Sequence, residues 1–216
     1  MIVLITGASH VGKTVLAQRI LEKYAFPYFS IDHLKMGLIR SGNADLTPED
    51  DEAITEYLWP IVREMVKTAI ENRQNLVIEG CYIPPDWRGD FEEEYLRSIE
   101  FVCLAMSDAY IDAHIGEIEE YACAVEARLE DSGCTLGELR EDNRRCIDAF
   151  AKCNEKVTII ESDFEATIEA VLDAVHPRWS SLQSAYCSAS VRLVPNRSKR
   201  CQEKLNGATP WAIPTR

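Results

Sequence analysis

Apolar residues in this chain arrive in short continuous runs, separated by stretches with helical spacing. The first run, "MIVLIT", has no polar alternation, as expected of a strand buried on both faces. A helix is predicted from about Lys13 through "TVLAQRILEKY", then a short strand in "PYFSI" and a short helix in "DHLKMGLIRSG" that stops at Gly42. The stretch "TPEDDEAITEYLWPIVREMVKTAIEN" reads as one long helix, with Thr47 as its cap, Pro48 at its first position and acids in its first turn. Pro60 should kink or divide it. "NLVIEG" and "SIEFVCLAM" are strands three and four, joined by "IPPDWRGDFEEEYLR", a loop that becomes helical. Two helical stretches follow, "DAYIDAHIGEIEEYACAVEARLEDSG" and "TLGELREDNRRCIDAFAKCN", the second opened by a capping box from Thr135 to Glu138. "KVTIIE" is the fifth strand, and "SDFEATIEAVLDAV" a closing helix with a capping box from Ser162 to Glu165. Strands alternating with helices predict an α/β fold with a mostly parallel sheet covered on both faces.

Charge divides the chain in two. Residues 1–176 hold 16 Lys and Arg against 35 Asp and Glu, whereas residues 177–216 hold 7 against 1. The first segment reads as the folded domain. The second is rich in Ser, Pro and Asn, lacks long periodic patterns, and reads as a basic, poorly ordered tail. The net charge of −13 over 216 residues opposes loose binding to nucleic acid or to an anionic membrane. The N-terminus has no basic region before its apolar run, and no stretch reaches the roughly 20 apolar residues that span a bilayer. The eight cysteines form no CxxC pair and read as reduced thiols, so the expected location is cytoplasmic.

One motif carries chemistry. In "GASHVGKT", Gly7, Gly12, Lys13 and Thr14 match G-x-x-x-x-G-K-[ST], between an apolar strand and an amphipathic helix. Glycines let such a loop wrap a phosphate, and its backbone N–H groups attract the charge. The phosphate-binding residues are therefore Gly7, Ala8, Ser9, His10, Val11, Gly12, Lys13 and Thr14. Lys13 should reach the β- and γ-phosphates of ATP, and Thr14 should hold Mg²⁺. His10 shapes the turn, touches phosphate or faces solvent. Asp32 follows the second strand at the carboxyl edge, where open α/β sheets place ligands. It could orient an acceptor hydroxyl, take its proton, or bind Mg²⁺ through water, and it could also cap the following helix. Glu79 ends the third strand and is a second candidate for a Mg²⁺-bound water. Among the arginines available to balance developing charge, Arg140 and Arg144 are four apart and share a helix face. They make a better clamp than Arg128 or Arg145. Arg40 and Arg88, after the second and third strands, are candidates for recognising the acceptor.

These stretches together resemble the P-loop small-molecule kinases of the adenylate kinase-like group. That group includes nucleoside monophosphate kinases, shikimate kinase, chloramphenicol phosphotransferase, zeta toxin and 2-phosphoglycerate kinase-like proteins. The resemblance rests on "MIVLITGASHVGKTVLAQRI", "YFSIDHLKMGLI", "NLVIEGCYIPP" and "LREDNRRC", and covers about residues 1–175. It implies a three-layer P-loop NTPase sandwich with five parallel strands in the order 2-3-1-4-5. A helical acceptor insert would follow strand two, and a lid would precede strand five. It further implies that Asp32 assists an acceptor hydroxyl and that Arg140 and Arg144 stabilise the transferred phosphate. Two features depart from the group: strand three ends "IEGCYIPP" rather than "DGFPR", and no four-cysteine lid is present. The reading is ATP- and Mg²⁺-dependent phosphoryl transfer to a small polar metabolite. The alternative is a nucleotide-dependent binding or regulatory protein.

Overall fold

Residues 1–48, 50–121 and 135–175 are described by a computed structural model. Five parallel strands form one sheet: β1 (Ile2–Gly7), β2 (Tyr28–Ser30), β3 (Leu76–Glu79), β4 (Ile99–Met106) and β5 (Val157–Ile160), ordered β2-β3-β1-β4-β5. This is the expected order. Between them run α1 (Lys13–Tyr24), α2 (Ile31–Arg40), α3 (Asp51–Glu71), a short 3₁₀ turn (Trp87–Asp90), α4 (Glu93–Leu96), α5 (Asp108–Tyr121) and α6 (Leu136–Lys152). A last helix, α7, covers residues 164–175.

The unbroken apolar run of β1 reflects burial on both faces. Val3 and Ile5 pack with Leu16 and Ile20 of α1 and with Ile168 and Leu172 of α7. Ile2 and Leu4 pack on the other side, with Ile54, Leu58, Val62 and Val66 of α3 and with Trp87. The four-residue spacing on α3 lines one stripe against the sheet.

Several boundaries differ from those expected. Asp50, not Thr47, caps α3: its carboxylate accepts from the Ala53 N–H at 3.1 Å. Thr47 lies in the preceding turn, where its carbonyl accepts from the Asp50 N–H. Pro60 does not divide α3, which runs through it with Leu58, Trp59 and Val62 buried on either side. Packing along that stripe outweighs the hydrogen bond that proline removes. At α7 the cap is Asp163, whose Oδ1 accepts from the Ala166 N–H at 2.9 Å, rather than Ser162. The capping box of Thr135 and Glu138 forms as expected. The end of the helical stretch after Tyr121, Arg128 within it, and the basic tail lie outside the described residues. Among the described residues, no helix is long and apolar enough to cross a membrane.

Register sets the site. Ile5 of β1 and Ser30 of β2 both stand opposite Glu79 of β3, and Gly7 stands opposite Leu104 of β4. The Gly7 loop, Asp32 and Glu79 therefore emerge together at the carboxyl edge of β1, β2 and β3.

Candidate active site

The loop from Gly7 to Thr14 is shaped by backbone that other residues resist. Gly7 has φ +144°, and a Cβ there would stand 2.1 Å from the Leu104 carbonyl oxygen. Gly12 has φ +83° and faces the Phe164 ring, 2.6 Å from where a Cβ would sit. His10 is also left-handed, at φ +63°. The Ala8 N–H donates to the Leu104 carbonyl, tying the loop to β4. Gly12 caps α1 without a side chain, so the first turn of that helix directs its N–H groups toward the loop.

Lys13 is buried beneath the loop, and its Nζ donates to the Ala8 carbonyl at 2.7 Å and the Gly7 carbonyl at 3.3 Å. Burial opposes its charge, but Cys81, Glu79 and Asp32 together outweigh that and hold its pKa above the ordinary lysine value. Thr14 is the second residue of α1, and Glu79 is 1 % exposed at the end of β3. A hydroxyl and a buried carboxylate beside a phosphate loop suit Mg²⁺, which takes one or two protein oxygens plus phosphate oxygens. Among the described residues, no group of three His, Cys, Asp or Glu stands ready to hold a metal unaided.

Asp32 lies in the first turn of α2. Lys35, one turn on, approaches Asp32 Oδ1 at 3.2 Å and donates to the Tyr82 hydroxyl at 2.7 Å. That hydroxyl is 3.5 Å from Asp32 Oδ1, and the charge of Asp51 at the start of α3 also acts on it. Desolvation first, then the charges of Asp32, Cys81 and Asp51, push the Tyr82 phenol far above its usual pKa, so it stays protonated. The result is a fixed carboxylate held by a lysine and a neutral phenol, and its field reaches Lys13.

The arginines are distributed differently from the sequence-based expectation. Arg140 and Arg144 do share a face of α6, but it points at α5: Arg140 pairs with Asp112 and Arg144 with Asp108. Arg88 binds Glu155, which precedes β5, and lies over the Trp87 ring at 4.5 Å. The strand register puts Glu155 level with Leu4, three residues below Gly7. Arg88 thus ties the segment after β3 to the turn before β5. Arg40 is exposed in the last turn of α2, eight residues or about 12 Å of helix beyond Asp32.

Solved structures of kinases superpose on this chain. A deoxyadenosine kinase from M. mycoides superposes with a TM-score of 0.50 at 13 % identity, over 84 % of this chain and 100 % of that one. A shikimate kinase from Bacteroides thetaiotaomicron gives 0.50 at 19 %, over 81 % of this chain and 98 % of that one. The chain shares the fold of these two structures. No family model matches the chain, and no curated protein sequence matches it.

Within this fold, four residues of the site escape a reading by motif. Lys35 and Tyr82 are separated by 47 positions and meet only because β2 and β3 are neighbours. Asp51 looks like one acid among several in a helix start. Asp142 accepts from the Ser9 N–H of the P-loop at 2.7 Å and lies 3.6 Å from Arg145. Its signal was available: it adjoins Asn143 and lies three residues from Leu139, both buried, so that side of α6 faces inward.

Proposed function

We propose that the protein is an ATP- and Mg²⁺-dependent kinase that transfers a phosphoryl group to a hydroxyl of a small polar metabolite. The observation that carries this reading is that Asp32, two residues beyond Ser30 of β2, emerges at the same sheet edge as the Gly7 loop and Glu79 and is held there by Lys35 and Tyr82. A nucleotide-binding module needs the loop. It does not need a second carboxylate, braced by Lys35 and Tyr82, where an acceptor would sit.

In this reading the loop N–H groups and Lys13 hold the phosphates of ATP, with Lys13 exchanging the Gly7 and Ala8 carbonyls for phosphate oxygens. Thr14 and Glu79 hold Mg²⁺, which when bound neutralises charge on the phosphates. Asp32 orients the acceptor hydroxyl and receives its proton. The new bond joins the acceptor oxygen to the γ-phosphorus, the bond from that phosphorus to the β–γ bridging oxygen breaks, and ADP leaves with the bonding pair. Arg140 and Arg144 would reach the transferred group only by exchanging Asp112 and Asp108 for phosphate, so they act in a rearranged α5–α6 pair. Arg40 would meet the acceptor only at the far end of α2.

The test is ADP release with Mg²⁺-ATP across pooled metabolites bearing hydroxyl, carboxylate or phosphate groups. One pool should stimulate release. Asp32→Asn should lower that stimulated rate by about 10²–10⁴-fold, the usual weight of a general base. Lys13→Ala should abolish it together with nucleotide binding. Lys13-dependent binding with no stimulation by any pool would instead support a nucleotide-dependent regulatory protein.

A further inference from the structure

The phosphate loop carries a carboxylate of the protein's own. Asp142 Oδ2 accepts from the Ser9 backbone N–H at 2.7 Å, a charge-assisted bond to a backbone N–H of the loop. The contact is built in by the way α6 is anchored. One residue on, Asn143 is 1 % exposed, its Oδ1 accepts from the Met106 N–H at 2.7 Å, and its amide donates to the Leu139 carbonyl. One turn on, the Cys146 sulfur lies 3.8 Å from the Cys103 sulfur of β4. Asn143 and Cys146 thus clamp α6 to the end of β4 and leave Asp142 over Ser9. Arg145, 3.6 Å away and largely exposed, offers the carboxylate a second partner off the loop.

We infer that Asp142 is a resident competitor for the phosphate of the nucleotide, and that it sets nucleotide affinity by having to leave Ser9 before phosphate can take that N–H. This rests on the kinase reading only in taking a nucleotide as the ligand of the loop. A carboxylate and a phosphate cannot share one N–H, and two anions at that distance repel. Binding is therefore weakened by the cost of moving Asp142 toward Arg145.

The experiment is calorimetric titration of the full chain with a non-hydrolysable ATP analogue, pyrophosphate and adenosine, each with and without Mg²⁺. Wild type would be compared with Asp142→Ala, Asp142→Asn and Lys13→Ala. Asp142→Ala removes the acceptor and should tighten ATP analogue and pyrophosphate by about tenfold, the low end for a hydrogen bond to a charged group. Asp142→Asn keeps a neutral acceptor and should fall between the two. Adenosine, which has no phosphate, should bind equally to all. Thermal melts check folding, and the asparagine variant carries the test alone if the alanine variant is unstable. Unchanged phosphate affinity in both variants would overturn the inference. So would weaker binding seen only with Mg²⁺, which would place Asp142 among the groups holding the metal. Lys13-dependent binding in wild type with either result leaves the nucleotide reading standing. Failure of every variant to bind nucleotide overturns both.

Discussion

A methyl group added at Gly7 and one added at Gly37 should move stability in opposite directions. At Gly7 the Cβ would stand 2.1 Å from a carbonyl oxygen of the neighbouring strand, on backbone with φ +144°. The obstacle is backbone within a sheet, so relief requires β1 and β4 to separate. Gly7→Ala should cost roughly 2–4 kcal/mol, from strained backbone plus overpacking. At Gly37, inside α2, a Cβ meets nothing within 4 Å. Gly37→Ala should gain about 0.5–1 kcal/mol by restricting the unfolded chain. Urea denaturation midpoints of the two variants check both signs. Gly12 falls between them, because the atoms in its way are the far edge of the Phe164 ring and not the backbone of a strand. The motif marks Gly7 and Gly12 alike as loop glycines. Only the fold shows that one is held by a sheet and the other by a ring.

At the scale of elements, the α5–α6 pair is held by exposed charges and α6 begins with a reciprocal cap. Thr135 Oγ1 accepts from the Glu138 N–H, and the Glu138 carboxylate accepts from the Thr135 N–H at 2.8 Å. Thr135→Ala should cost about 1 kcal/mol at neutral pH. Bonding to the Thr135 backbone and hydroxyl lowers the Glu138 pKa below its ordinary 4.5. The stabilisation is thus present above the unfolded value and disappears as pH falls through the lower folded one. Melting temperatures of wild type and variant should therefore draw together in acid, below about pH 4. A gap that stays constant down to pH 3 would show that the threonine hydroxyl acts without the glutamate. This box was legible in sequence because both partners lie within one turn. The caps of α3 and α7 were displaced from their expected positions because several capping residues stand side by side at each start, Thr47 and Asp50 at one, Ser162 and Asp163 at the other. Local chemistry ranks such neighbours poorly, and packing of the helix stripe decides among them.

Across the whole molecule, the strand order and the gathering of Lys13, Asp32 and Glu79 could be anticipated, because strand ends and a loop motif are local signals and parallel topology brings them to one edge. The partners of the arginines could not. Arg88 finds Glu155 across 67 positions, and Arg140 and Arg144 find α5 at separations of 28 and 36 residues. In a chain with so many acids, every arginine has several candidates. That acidity also shapes how an anionic nucleotide would approach. The net charge of −13 repels it at long range, while Lys13 and the loop N–H groups attract it only on contact. Salt shortens the reach of the repulsion, from about 30 Å at 0.01 M to about 10 Å at 0.1 M, and weakens buried contacts much less. Stopped-flow association of a fluorescent ATP analogue should therefore speed up, by about two- to threefold, as ionic strength rises from about 0.02 to 0.2 M. Ordinary steering of an anion by a basic site has the opposite sign. A rate that falls with salt would mean that a local positive field around the loop reaches beyond the acidic surface, and that the nucleotide is drawn in rather than tolerated.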